Sequence, residues 1–295
     1  MLNPVFRREV RTVLRTWKTF IAIMSYVLCL TVVAALALLV AFGNQVYRGF
    51  DPQSSTVLYV VISAFQLGLI LLIVPALTGG AISNERERQT LDLMLVTKMS
   101  TLSIITGKLT ASLLVVALMV VASLPVYGVI IYYGAVSVVH LMTMALYFLL
   151  IAAMTGGIAI FFSSVFKRTV VAIIMTYFVL IFLSLGTMAG VVVVSGLMGS
   201  FWGFSLPYNV VYGVIGTNPF WGFISALDSQ LGTSTTQNFL DSVTWRWSNT
   251  TGTAMPFIEL PLWVINTVFS GLAAMILVAW SSYIIQPGRR SGKYK

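Results

Sequence analysis

Few residues in this chain carry side chains able to do chemistry. There is one cysteine, Cys29, inside an apolar run, and one histidine, His140. A zinc-type site takes three or four such ligands, so no metal centre is expected. A lone thiol also excludes an intrachain disulfide. The densest polar motif is Ser83-Asn84-Glu85-Arg86-Glu87-Arg88-Gln89-Thr90, followed by Leu91-Asp92-Leu93-Met94-Leu95. No nucleophile lies beside a base in it, and none stands out elsewhere. The phosphate loop G-x-x-x-x-G-K-[ST] is absent. The chain is therefore expected to be no enzyme, with no catalytic, cofactor or metal residue of its own.

These residues are set in a chain that is 58% hydrophobic and only 8% charged, with a mean hydropathy of +0.96. A soluble domain usually carries about 25% charged residues. A globule this apolar would present adhesive patches to water, whereas a bilayer would solvate it. Six apolar runs reach the span length: 20–42, 57–80, 102–133, 139–162, 169–197 and 260–285. The fold class expected is an all-α integral membrane protein with six transmembrane helices. No cleavable signal peptide is expected, because the first run is longer than a signal core and reads as a span.

Charge then orients the spans. The net charge is +9, and fifteen of the 17 basic residues fall on one side of a six-span layout. They are Arg7, Arg8, Arg11, Arg15 and Lys18; Arg86, Arg88, Lys98 and Lys108; Lys167 and Arg168; and Arg289, Arg290, Lys293 and Lys295. Only Arg48 and Arg246 fall on the other side. Both termini are thus expected in the cytoplasm. The basic excess reads as topology, and no nucleic-acid partner is expected. Lys108, near one span end, is expected to snorkel to the surface. No Asp, Glu, Lys or Arg lies deep in a span, which argues against an ion-coupled pump. Gln66, Thr155, Ser184, Thr187 and Asn266 either bond across helices or line a pathway.

Between and before the spans lie four smaller parts. In residues 1–19, Phe6, Val10, Val13, Leu14 and Trp17 share one helical face and Arg7, Arg8, Arg11, Arg15 and Lys18 a neighbouring one. This is an interfacial amphipathic helix, either a plain anchor on anionic lipid or a lever that also touches a partner. In 83–98, Asn84 with Glu87 resembles a capping box, and Leu91, Met94 and Leu95 form an apolar stripe. Docking into a partner's groove would bury that stripe. The segment 198–259 is external and rich in aromatics, either short helices at the outer leaflet or a mobile loop. A basic tail, 286–295, closes the chain.

The stretch from Gly80 through Glu85-Arg86-Glu87-Arg88-Gln89-Thr90-Leu91-Asp92-Leu93-Met94-Leu95-Val96-Thr97 resembles the signature of type-2 ABC exporter permeases. So do its continuation Leu102–Leu109, the opening Asn3-Pro4-Val5-Phe6-Arg7-Arg8-Glu9-Val10, and Phe162–Thr169 before the fifth span. The likeness covers the whole layout. One departure is Lys98, where family members often have proline. The resemblance implies a single transmembrane domain over 1–295 that pairs with a second permease copy or a homologous permease. Each permease would dock on a cytoplasmic ABC ATPase subunit that holds ATP and Mg. It implies a coupling helix whose ATPase contacts are Glu85, Arg86, Glu87, Arg88, Thr90, Leu91, Met94 and Leu95, with a second contact at Lys167 and Arg168. Export by alternating access across a bacterial plasma membrane follows from the same resemblance. A stand-alone channel or secondary transporter, and a non-transporting scaffold or sensor subunit, are the alternative readings of the bare sequence.

Overall fold

The computed structural model describes residues 16–42, 52–90, 100–132, 136–203, 206–251 and 260–286. Every regular element among them is helical, and six stretches are long and apolar enough to cross a bilayer. The first two are α1 (Trp17–Phe42) and α2 (Pro52–Thr78). A turn then leads into the five-residue α3 (Ser83–Glu87).

The third span is broken into α4 (Thr101–Ala122) and α5 (Leu124–Tyr132). The break falls at Ser123, two residues before Pro125, whose ring removes an amide from the helical ladder. At the break the Ser123 hydroxyl donates to the Val120 carbonyl at 2.7 Å. The fourth span is α6 (Val138–Val165). The fifth begins as α7 (Thr169–Ile181), passes through a π-helical turn at Phe182–Gly186, continues as α8 (Thr187–Leu197), and ends in a second π turn at Met198–Trp202. Then come α9 (Tyr208–Gly216), α10 (Pro219–Leu231), α11 (Thr235–Thr251) and the sixth span, α12 (Leu262–Ile285).

The chain divides into two compact units. The first contains the described residues up to Tyr177 and those from Ala273 on; the second is Phe178–Leu272. In the first unit α6 is the central rod, packed against α2 and α4. Its most apolar window is 61% buried, against 17% for α1. Close packing there uses small residues: a Cβ on Gly157 would stand 3.2 Å from Ala274 Cα, so the backbones of α6 and α12 nearly touch. Leu28, Leu36, Leu39 and Val40 of α1 stay exposed. In water each such side chain would forfeit about 1.5–3 kcal/mol of burial, whereas lipid covers them at no such cost. In the second unit α9, α10 and α11 pack around Val211, Ile215, Trp221, Leu240 and Leu262, with Trp221 stacked on Phe239 at 4.2 Å. The segment 198–259 is therefore mainly helical in its described part, with α9 and α10 bent by 100°.

Residues 1–15, 91–99 and 287–295 lie outside the described residues. With them go Phe6, Arg7, Arg8, Arg11 and Arg15 of the interfacial helix, and Leu91, Met94 and Leu95 of the apolar stripe. Trp17 opens α1, exposed, its ring edge-on to Phe20.

Candidate functional site

The end of α2 lies against α7 because Gly79 lets it. A Cβ there would fall 2.6 Å from Ile173 Cγ1 and 2.6 Å from the Pro75 carbonyl oxygen. The following α3 has no side-chain cap from its own N-cap residue, Ile82. Ser163 Oγ on α6 supplies one, accepting from the amides of Ile82 and Ser83 at 2.9 Å each. The Ser163 hydroxyl in turn donates to Ser83 Oγ at 3.2 Å. The capping box expected from Asn84 and Glu87 does not form. Asn84 sits inside α3, where its Oδ1 accepts from Arg88 Nε at 3.3 Å.

Each of the next three residues grips a different helix. Glu85 Oε1 pairs with Lys108 Nζ of α4 at 2.6 Å, the side chains being 19% and 9% exposed. This corrects the expectation that Lys108 snorkels outward: an acidic partner inside the bundle holds it there. Arg86 donates to the carbonyls of Ser164 at 2.9 Å and Phe166 at 3.4 Å. Those are the last carbonyls of α6, which have no partner within their helix, and a cation there also meets the negative end of the helix dipole. Glu87 Oε1 accepts from the amide of Thr169 at 2.7 Å. That is the first amide of α7, where a carboxylate meets the positive end. The order of charges, minus-plus-minus, thus matches a lysine, a helix C-terminus and a helix N-terminus.

The motif then turns sharply. Gln89 takes the left-handed conformation, φ 57°. Its amide bonds to the Arg86 carbonyl at 3.2 Å and that of Thr90 to the Glu85 carbonyl at 2.9 Å, the Schellman pattern in which glycine is usual. Asn84, Glu87, Arg88, Gln89, Thr90, Lys167 and Arg168 are exposed.

The profile of the family described as ABC-2 family transporter protein matches residues 34–285. The chain belongs to the ABC-2 transporter family. It is a multi-pass permease-type membrane component of an ABC transporter, as the signature around Glu85 implies. No curated protein matches it. In this ABC-2 chain the structure joins the signature to the stretch 163–169, which carries Lys167 and Arg168.

Sequence reasoning missed the residues that make these joints. Ser163 lies 80 positions from Ser83, and a serine near a span end gives no sign of what it will cap. The same holds in the interior of the first unit. Tyr127 donates to Gln66 Oε1, Gln66 Nε2 donates to Ser123 Oγ at 3.3 Å, and Ser63 and Tyr127 share a bond at 3.3 Å. A cavity of about 10 Å³ beside Gln66, Ser123 and Tyr127 is about the size of one water. Gln66 is therefore a cross-helix residue, whereas Thr155 is buried with its hydroxyl lacking a partner.

In the second unit Asn218, also missed, is buried and makes four side-chain bonds. Its Oδ1 accepts from the amides of Phe220 at 2.8 Å and Trp221 at 3.4 Å, capping α10. Its Nδ2 donates to the Ser184 carbonyl at 2.7 Å and Thr187 Oγ1 at 2.9 Å. Ser184 lies in the π turn, where the ladder is shifted. Asn266 donates to the carbonyls of Gly216 and Asn218 at 2.9 and 3.1 Å.

Proposed function

We propose that this chain is the membrane subunit of an ATP-driven exporter, working as a homodimer or with a homologous permease. The cycle is driven by a cytoplasmic ABC ATPase that carries ATP and Mg. The observation behind this reading is the junction at 79–90, where a family signature ties three spans together at one end of the bundle. The sequence itself carries no phosphate loop. On this reading the basic side faces the cytoplasm, and the ATPase docks on the 83–98 connection, through Arg88, Thr90, Leu91, Met94 and Leu95, and on Lys167 and Arg168. Movement of that connection then switches the access of the cavity between the two faces of the membrane. The test is co-expression with candidate ABC ATPase subunits from the same source, followed by purification and measurement of ATP hydrolysis in proteoliposomes. Stable assembly and hydrolysis that falls with Leu91→Asp are expected. A chain that purifies alone and conducts ions down a gradient in liposomes would sink the reading.

A further inference from the structure

Two of the three charged residues of the signature, Glu85 and Arg86, are half-buried, and Glu87 is exposed yet bonded to its own chain. Glu85, Arg86 and Glu87 all spend charged atoms on their own chain: on Lys108 of α4, on the carbonyl end of α6, and on the amide end of α7. The exposed side chains with no bond to another helix are their neighbours, Asn84 and Arg88, with Gln89 and Thr90 in the turn.

We propose that Glu85, Arg86 and Glu87 are positioning residues that make α3 and the ends of α4, α6 and α7 move as one body, while the ATPase touches the outer edge at Arg88. The proposal rests on the permease reading and deepens it. A push on α3 reaches α4 through an ion pair and reaches α6 and α7 through charge-assisted hydrogen bonds. These are the stronger class of polar contact, and each ends on a group with no partner in its own helix. The amides of Ile82 and Ser83 on Ser163 add a second tie to α6. Displacing α3 alone would break all of these at once, so moving the whole set costs less than moving one member. Residues unable to make these bonds would leave α3 free to swing while its outer surface stayed intact. Loss of the triplet therefore predicts uncoupling, whereas loss of the outer edge predicts failure to assemble.

The experiment uses the full chain with its ATPase in lipid nanodiscs. It reads complex yield, ATP hydrolysis, and the ATP-dependent change in amide exchange over 101–110 and 163–172. Arg88→Glu should weaken assembly about tenfold. Glu87→Ala and Glu85→Lys should assemble as the parent does, yet lose the ATP-dependent exchange change, the first at 163–172 and the second at 101–110. Glu87→Gln, which keeps the acceptor oxygen, and the double swap Glu85→Lys with Lys108→Glu should regain it. Triplet variants that fail to assemble, or that keep the ATP response, would overturn the proposal. If the parent binds no ATPase, the permease reading fails by itself. The clamp is then still tested in the chain alone: Glu87→Ala must raise exchange about tenfold in both 79–90 and 163–172, and a rise confined to one segment refutes it.

Discussion

The junction around Glu85 and the turn around Asn218 solve one problem with different chemistry. Both must satisfy helix ends that the helix backbone leaves open; the junction does so from other helices, whereas Asn218 caps α10 from the position before it and also reaches back to the fifth span. At the junction the donors and acceptors are charged and partly reached by solvent, Glu85 being 19% exposed. At the turn they are neutral amides, and Asn218 is 1% exposed. The difference follows the dielectric. Near water a charge costs little to place and adds the dipole term at a helix end. In a dry interior an ion must repay several kcal/mol of desolvation, so a carboxamide with all its bonds made is the cheaper cap.

The largest effect is expected from Asn218→Leu. It strips the cap from α10 and orphans the Ser184 carbonyl in a buried site, at about 1–3 kcal/mol per lost group. A deficit of about 4 kcal/mol should appear as a much lower unfolding temperature in detergent. A loss under 1 kcal/mol would mean that water reaches the turn and that the contrast with the junction is false. Lys108→Met should cost about 3 kcal/mol, since it leaves Glu85 unpaired in a largely enclosed position. The reversed pair, Glu85→Lys with Lys108→Glu, should recover most of it, and a double swap as poor as the single change would show that the two do not act as a pair.

A third device sits between these extremes. Asp228 accepts from the amides of Thr235 at 3.2 Å and Thr236 at 2.7 Å and from the Thr233 hydroxyl, so a carboxylate caps α11. Partial burial pushes its carboxyl up, but the bonds from Thr233, Thr236 and Thr235 outweigh that and hold it below the ordinary value. The folded form therefore binds a proton less readily than the unfolded one. The stability it contributes is complete above the ordinary carboxylate range and is lost as pH falls through the folded pKa. Asp228→Asn should flatten that acid limb of a stability–pH curve by less than about 1 kcal/mol, as for a solvent-accessible cap. An unchanged limb would remove Asp228 from the comparison. The smallest change should come from Gln89→Gly, which relieves a left-handed non-glycine residue and stabilises the junction turn by about 0.5–1 kcal/mol. Slower amide exchange at Thr90 would register it.

The spans were legible because hydrophobic length is a local property. Each run predicted from sequence contains or nearly coincides with a helix, and even the broken third span could be anticipated at Pro125. The family signature was legible too, being one contiguous stretch. What the sequence hid was pairing. Asn84 and Glu87 have the spacing of a capping box, yet Ser163 wins because it reaches two amides at once. Lys108 looks like a snorkelling residue because apolar pattern reports depth but not the neighbour, and Glu85 is 23 positions away. Asn218 lies in a stretch read either as short helices or as a loop; two of its partners are the nearby amides of Phe220 and Trp221, and only the fifth span, at Ser184 and Thr187, supplies the other two. Closure over 31 to 80 residues leaves no mark on composition or periodicity.

The interruption at Ser123 limits how far a mechanical signal can run. Below it α4 is an unbroken 22-residue helix, a stiff strut of about 33 Å loaded near its base through Lys108. Above it α5 is stitched to α2 by the Tyr127–Gln66 bond. Because Pro125 brings no amide to the ladder there, a bending load along the strut would be taken up first at this point, with Gln66 holding Ser123 as well as Tyr127 to α2.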